Sequence, residues 1–271
     1  MKTQLRYVLT AAILVVIPYF NFAQAPNLGA AAGFVYFTTD GAFNVTGAST
    51  IVTGDVGNDA GAFNGFPPRT LLGQIHHADP TTAQAKLDLL AAYGQLSTVA
   101  CGQVIATPLG GGMTLAPNVY CYGGAATLNG DLTLDGQNNP NSIFIFKIGG
   151  AFSTDFNSHI YLINQASPCN VYWQINGDFS VYGTSVFRGI VIANGAIHLT
   201  ETSALFGRGL SIAGAIDLTN NMVTLCGTGP NPNPNGSIPT MSQWGLIIFG
   251  LLLLGIGTLY IIRRRQGLIR I

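Results

Sequence analysis

Charge is scarce in this sequence. Charged residues make up 8% of its 271 positions, against about 25% in ordinary soluble domains. Six of the 11 basic residues (Lys2, Arg6, Arg263, Arg264, Arg265 and Arg270) stand in the terminal segments, whereas all 11 acidic residues lie between positions 40 and 217. The central body therefore carries five basic against 11 acidic residues, a net of about −6. It has no basic face, which excludes nucleic acid as a partner. Metal-ligand spacing is lacking as well. The four cysteines form neither a zinc pattern nor a C-x-x-C pair, and His76, His77, His159 and His198 are scattered. Gly110-Gly111-Gly112 has no following Lys-Ser/Thr and is no phosphate loop. The loop 54–59 has acidic residues but no repeated calcium-ligand pattern. Asp131 and Asp135 fall on one face of a strand-like run without a partner base, so no catalytic pair is expected. No enzyme activity, cofactor or metal is predicted.

Glycine, by contrast, is abundant: 35 residues, beside a hydrophobic fraction of 48%. That combination describes many short strands joined by tight turns around an ample core, not disorder. The ends place the body outside the cytoplasm. Lys2 and Arg6 precede an apolar stretch at 8–20, and Ala23-Gln24-Ala25 supplies small residues for cleavage. Residues 1–25 read as a secretory signal peptide. At the other end, 244–262 is uncharged and long enough to cross about 30 Å of hydrocarbon. Arg263-Arg264-Arg265 follows as a basic stop on the cytoplasmic side. Just before this span stands Ile238-Pro239-Thr240-Met241-Ser242-Gln243-Trp244-Gly245. Motif, helix and basic cluster in that order resemble the IPTL-type sorting tail of Gram-negative bacteria. The resemblance implies an exosortase-type sorting protease as partner, with the inner membrane holding the tail before processing. A plain membrane anchor is the alternative.

Four cysteines suit an oxidising compartment and allow three pairings. Cys101–Cys121, close in sequence, and Cys169–Cys226, which would tie the start of the last repeats to their end, are favoured.

The body repeats. Gly177-Asp178-Phe179-Ser180-Val181, Gly195-Ala196-Ile197-His198-Leu199 and Gly214-Ala215-Ile216-Asp217-Leu218 recur at spacings of 18 and 19 residues. Periods near 20 indicate a solenoid, whose turns bury apolar surface against their neighbours. Strand alternation puts Phe179, Ile197 and Ile216 in one core row and Val181, Leu199 and Leu218 in another, with Ser180, His198 and Asp217 outward. A second strand per turn reads Val171-Tyr172-Trp173, Ile190-Val191-Ile192 and Leu210-Ser211-Ile212. Segments 127–134, 143–148 and 159–163 extend the pattern. One helix interrupts it. Asp79 is its N-cap and Pro80 its first residue, and Ala83, Leu87, Leu90 and Ala91 form its predicted buried face, with an end near Leu96. The Gly-rich segment 100–124 is read as part of a cap. Domain bounds follow: signal peptide 1–25, solenoid 26–228, Pro/Asn/Gly-rich linker 229–237, sorting tail 238–271.

Several motifs, taken in order, carry a family resemblance: Leu28-Gly29-Ala30-Ala31-Ala32-Gly33-Phe34, Ile51-Val52-Thr53-Gly54-Asp55-Val56-Gly57, Ile75-His76-His77-Ala78-Asp79, Ile143-Phe144-Ile145-Phe146-Lys147-Ile148 and Cys169-Asn170-Val171-Tyr172-Trp173-Gln174. Together they resemble the bacterial ice-binding family with a discontinuous β-solenoid. The resemblance implies a mainly β fold: a right-handed parallel solenoid of triangular section, a helix alongside and a capping region. It also implies that one flat face binds the ice crystal surface, in a protein displayed on the cell or secreted. In that family the ice face often carries Thr-small-x-Thr/Asn elements. Here the corresponding stretches are Gly183-Thr184-Ser185-Val186, Glu201-Thr202-Ser203-Ala204 and Asn220-Asn221-Met222-Val223. The candidate contacts are Thr184, Ser185, Thr200, Thr202, Ser203, Thr219 and Asn221. Two polar rows are expected to stack, Tyr182/Thr200/Thr219 and Thr184/Thr202/Asn221. Val186, Ala204 and Val223 depart from the pattern, and Glu201 brings a charge beside the rows. These departures support the alternative of a surface-structural or adhesive solenoid that has lost ice affinity.

Overall fold

The computed structural model describes residues 24–66 and 69–226. Positions 1–23 of the predicted signal peptide, the linker 229–237 and the tail 238–271 with its apolar span 244–262 lie outside the described residues. Among the described residues no helix is long and apolar enough to cross a membrane.

The strands pair in parallel and build three ladders. The first is an eight-stranded sheet. It runs Leu109–Gly110, Ala126–Asn129, Phe152–Thr154, Phe179–Val181, Ile197–Leu199, Ile216–Thr219, and then Phe43–Thr46 and Phe63–Asn64. Chain order breaks within this stack: the N-terminal strands lie beyond the last C-terminal repeat. The same break recurs where Tyr36 pairs with Gly209 and Met222 with Ile51.

The other two ladders belong to one 15-stranded sheet that turns a corner. Strands Val186–Ala193 and Ala204–Ser211 run through the corner. Gly189 and Gly207 sit side by side there at φ +129° and +150°, a backbone region that L side chains rarely adopt. The C-terminal half of Val186–Ala193 pairs with Val171–Ile175, which pairs with Phe144–Ile148. Its N-terminal end meets His159–Ile163, which pairs with Asp131–Asp135.

The predicted repeat lies in register. Phe179, Ile197 and Ile216 pair across three turns, as do Val181, Leu199 and Leu218, and all six are buried. Trp173 fills the middle of the core, stacked on Phe146 at 3.9 Å and tilted against Phe187 at 4.9 Å. Burying each such side chain contributes roughly 1.5–3 kcal/mol before ordering entropy. The segment read as a cap is not separate. Gln103–Val104, Leu109–Gly110, Met113–Leu115 and Val119–Tyr122 are rungs of the three ladders; Leu109, Leu115, Val119 and Tyr120 continue the buried rows, while Gln103 and Val104 stay exposed at the end of the stack.

Helix α1 (Pro80–Thr98) opens with a capping box: Asp79 accepts from the Thr82 N–H, and Thr82 Oγ1 accepts from the Asp79 N–H. Its 19 residues rise about 28 Å, close to six rungs at about 4.8 Å each. It thus returns the chain from the Ile75–His77 end of the stack towards the Gln103–Val104 end. The buried apolar residues are Ala85, Leu89, Ala92 and Leu96, packed with Phe37, Tyr172 and Ile192. The expected face of Ala83, Leu87, Leu90 and Ala91 points outward instead, with Leu87 62% exposed. Apolar residues surround much of this helix, so spacing alone does not choose a face. Small side chains at Ala85 and Ala92 allow close approach. Asp88, accepting from the Ala30 N–H at 2.7 Å, and Lys86, bound to Asp59 at 3.1 Å, fix the rotation.

Both favoured disulfides form, Cys101–Cys121 and Cys169–Cys226, with Cα atoms 6.0 and 5.5 Å apart.

Candidate functional site

The ladder carrying Ile145, Tyr172 and Ile192 is covered by α1. The eight-stranded sheet keeps its outer side open. Strand alternation turns two rows outward there. One row is Thr127, Ser153, Ser180, His198, Asp217, Asn44 and Asn64, each in register with the next. The second includes Tyr182, Thr200, Thr219 and Thr46, at the strand ends beside the turn. Parallel pairing sets neighbours in each row about 4.8 Å apart, and the rows about two strand residues apart. The result is a periodic array of hydroxyls and amides on a rigid support.

Side-chain bonds along the rows hold the array still. Thr46 Oγ1 and Thr219 Oγ1 lie 2.7 Å apart. Thr200 Oγ1 accepts from the Gly183 N–H at 3.1 Å and donates to the Val181 carbonyl at 3.2 Å. In the first row Asp217 pairs with His198 Nδ1 at 3.0 Å and accepts from Asn44 Nδ2 at 2.8 Å. Asn64 Nδ2 donates in turn to Asn44 Oδ1 at 3.0 Å. Order of this kind lowers the entropy lost when the face meets a partner. The same ladder puts charge in the middle of the face, where a charged group holds its own water.

The structure separates the seven candidates of the sequence. Thr200 and Thr219 point outward on the sheet. Thr184 and Thr202 are exposed in the adjoining turn, where Thr184 Oγ1 bonds Asn157 Oδ1 at 3.3 Å and Thr202 adopts φ +64°. Ser185, Ser203 and Asn221 are buried. Their side chains cap turn carbonyls: Ser185 bonds Asp155 O, Ser203 bonds Thr200 O and Asn221 bonds Leu199 O. Ser158 and Thr50 continue this inward row on either side. A buried carbonyl without a partner is costly, so these corners select a short polar residue for structural reasons.

The expected row Thr184/Thr202/Asn221 is also shifted by one. The Thr202 N–H donates to Asn220 O, and Asn220 accepts from the Ser49 hydroxyl. The turn after Thr219 is one residue shorter than the turn after Thr200, which moves Asn220 beside Thr202 and Asn221 inward. Glu201 is bound there, accepting from Asn220 Nδ2 at 3.1 Å.

Thr46, Asn44, Thr127 and Ser153 lie on the same face, beyond the seven candidates. Phe43-Asn44-Val45-Thr46 matches Ile216-Asp217-Leu218-Thr219 in alternation and was the available signal. Its distance along the chain concealed it.

A family model described as "Ice-binding-like" matches residues 37–224. A second, for the IPTL-CTERM motif, matches residues 237–266. An ice-binding protein of Nostoc sp. (strain HG1) is 32% identical, covering 88% of this chain and 92% of the relative. Ice-binding protein 1 of Shewanella frigidimarina is 31% identical over 75% of this chain, which spans 26% of that longer relative. Among solved structures, an ice-binding protein from an Antarctic Flavobacteriaceae bacterium superposes with a TM-score of 0.72 at 38% identity, covering 74% of this chain and 48% of that one. The ice-binding protein of Antarctomyces psychrotrophicus gives a TM-score of 0.70 at 32% identity, covering 74% of this chain and 98% of that one.

Proposed function

The chain belongs to the ice-binding-like family, and from that membership we propose that it binds ice through the outer side of its eight-stranded sheet. The periodic outward array around Thr200, Thr219 and Thr46 carries the assignment. A binder of ice must match a lattice that offers no unique functional group. Ordered side chains at repeated spacing hold waters in a fixed pattern, and each water-mediated contact adds a little. A solenoid supplies that repetition from its backbone. Thr184 and Thr202 extend the surface at its rim. The three ladders and the long return helix support the finer architecture of a right-handed solenoid with triangular section.

The sorting-tail motif supports export and retention at the cell envelope. In this reading residues 1–25 direct secretion, and 229–237 link the solenoid to the tail. Residues 244–262 hold the chain in the inner membrane until an exosortase-type protease processes it. Intact-mass measurement of the protein released from cells tests this. A mature mass that keeps residues 238–271 overturns processing.

Thermal hysteresis and ice-recrystallisation assays test the ice assignment. The wild-type chain shapes ice and inhibits recrystallisation, and Thr219→Lys loses most of that activity at unchanged thermal stability. Inactive wild-type protein at high micromolar concentration supports the adhesive solenoid instead. Full activity in Thr219→Lys moves the contact surface off this sheet.

A further inference from the structure

A cleft of about 910 Å³ that shares no lining residue with the polar sheet lies between the C-terminal end of α1, the Cys101–Cys121 disulfide and the loop 136–143. Its volume lies in the ordinary range for small-molecule sites. We propose that this cleft binds a neutral saccharide, an activity separate from ice binding.

Chemistry of the walls selects the ligand class. Among the described residues lining the cleft none carries an ionisable side chain. A phosphate, a sugar acid or a cation would surrender its hydration there with no charged lining side chain to receive it, since the Lys147 ammonium behind the wall is spent on the Ser97 and Val99 carbonyls. The polar groups are amides and hydroxyls, among them those of Asn118, Gln137, Asn139, Asn141 and Ser142. Each amide offers both donors and acceptors, the pairing that vicinal sugar hydroxyls need. Val99, Pro117, Val119 and Ile143 add aliphatic surface for the C–H faces of a sugar ring.

One atom points independently to a ligand. Ser142 is buried to 3% exposure, lines the cleft, and its Oγ has no hydrogen-bond partner. A buried hydroxyl left unpaired is costly and calls for an explanation. A partner arriving in the cleft supplies one.

The site is also held in place before any ligand arrives. The Ser142 N–H donates to Asn139 O, the Asn138 N–H to Asn164 O, and Asn170 Nδ2 to Pro140 O. The Asn141 N–H donates to Asn139 Oδ1. Lys147 Nζ ties the opposite wall by donating to Val99 O at 2.6 Å. The backbone of the loop is thus fixed, while the exposed side chains of Gln137 and Asn141 stay available.

The test uses the full chain with maltotriose, cellotriose and triacetylchitotriose, and trigalacturonic acid as the charged control. Saturation-transfer NMR and calorimetry are read at millimolar sugar. Binding of at least one neutral trisaccharide is expected, with the charged control silent. Asn141→Trp, an exposed position whose side chain holds no bond in the fold, fills the mouth and weakens binding by roughly tenfold or more. Ser142→Ala removes the unpaired hydroxyl, lowers sugar affinity, and leaves the melting temperature unchanged or raised. Ice recrystallisation, measured in parallel, is unaffected by Asn141→Trp, so a failure of either assignment is read separately. Three results overturn the proposal: no neutral trisaccharide binds, the charged control binds equally well, or binding survives Asn141→Trp undiminished.

Discussion

The Ser158 N–H donates to Ser185 Oγ at 3.0 Å across one turn of the solenoid, and Ser185 Oγ donates in turn to Asp155 O at 2.8 Å. Both serines are fully buried. A residue that resembles a surface hydroxyl in the motif is therefore a strut inside the corner. Ser185→Ala leaves a buried N–H and a carbonyl unpaired, at a cost of about 1–3 kcal/mol. Urea unfolding should record that loss while ice-shaping activity per folded molecule stays at wild type. Lost activity at unchanged stability would return Ser185 to the binding surface.

The sequence made the solenoid legible in its C-terminal repeats because alternation and an 18–19-residue period reinforce each other there. Phe179, Ile197 and Ile216 are the clearest case. The pairing of Phe43–Thr46 with Ile216–Thr219 crosses 170 residues or more and breaks chain order. Local pattern carries no information about such a contact, so the places of Asn44, Thr46 and Asn64 on the polar face are not legible from it. The buried face of α1 is not legible for another reason. Leu87 and Leu90 satisfy helical spacing as well as Leu89 and Leu96 do, and the choice lies with Asp88 and its tertiary partner Ala30. The inward turn of Ser185, Ser203 and Asn221 was illegible because alternation ends where the strand ends.

Trp173 bridges the stacked ring of Phe146 and the tilted rings of Phe152 and Phe187, and its Nε1 donates to Arg188 O at 3.2 Å. Trp173→Ala opens a cavity in the middle of the stack. The expected loss is about 3–5 kcal/mol. Because each turn rests on its neighbours, hydrogen exchange should rise in the rungs on both sides of residue 173. Protection lost at that one rung alone would contradict the stacked-core account.

Asp79 caps α1, and its carboxyl is held below the ordinary carboxylate range, first by the Thr82 N–H and then by the hydrogen bond with His76. A depressed folded-state pKa gives stability that is present above the unfolded value of about 4. That stability disappears as pH falls through the folded value. Asp79→Asn keeps an oxygen for the cap and removes the titration. The difference between the two melting temperatures should be present above the ordinary aspartate range and vanish as pH falls below it. Parallel curves through that window would remove Asp79 from the acid transition.

Two sulfur links close the fold at different scales. Cys101–Cys121 joins residues 20 apart and Cys169–Cys226 residues 57 apart. Chain entropy assigns about 3 and about 4 kcal/mol to loops of those lengths. Cys169→Ala with Cys226→Ala should therefore lower stability more than Cys101→Ala with Cys121→Ala, as read by thermal unfolding of each double variant. The reverse order would mean that native-state strain, not loop closure, governs these links.

The His198–Asp217 pair sits in the outward row that elsewhere holds Thr127, Ser153 and Ser180. Each side chain is 40% exposed. Exposed pairs of this kind add little stability, so the fold loses little without it. An ionised carboxylate keeps strongly bound water whose geometry is set by the charge, not by a crystal lattice. His198→Thr with Asp217→Thr removes that charge and extends the hydroxyl row between Ser180 and Asn44. Thermal hysteresis should rise above wild type with the melting temperature nearly unchanged. The rise should be abolished when Thr219→Lys is added, since both changes act on one surface. An undiminished gain in the triple variant would show that the two positions do not share an ice-contacting face.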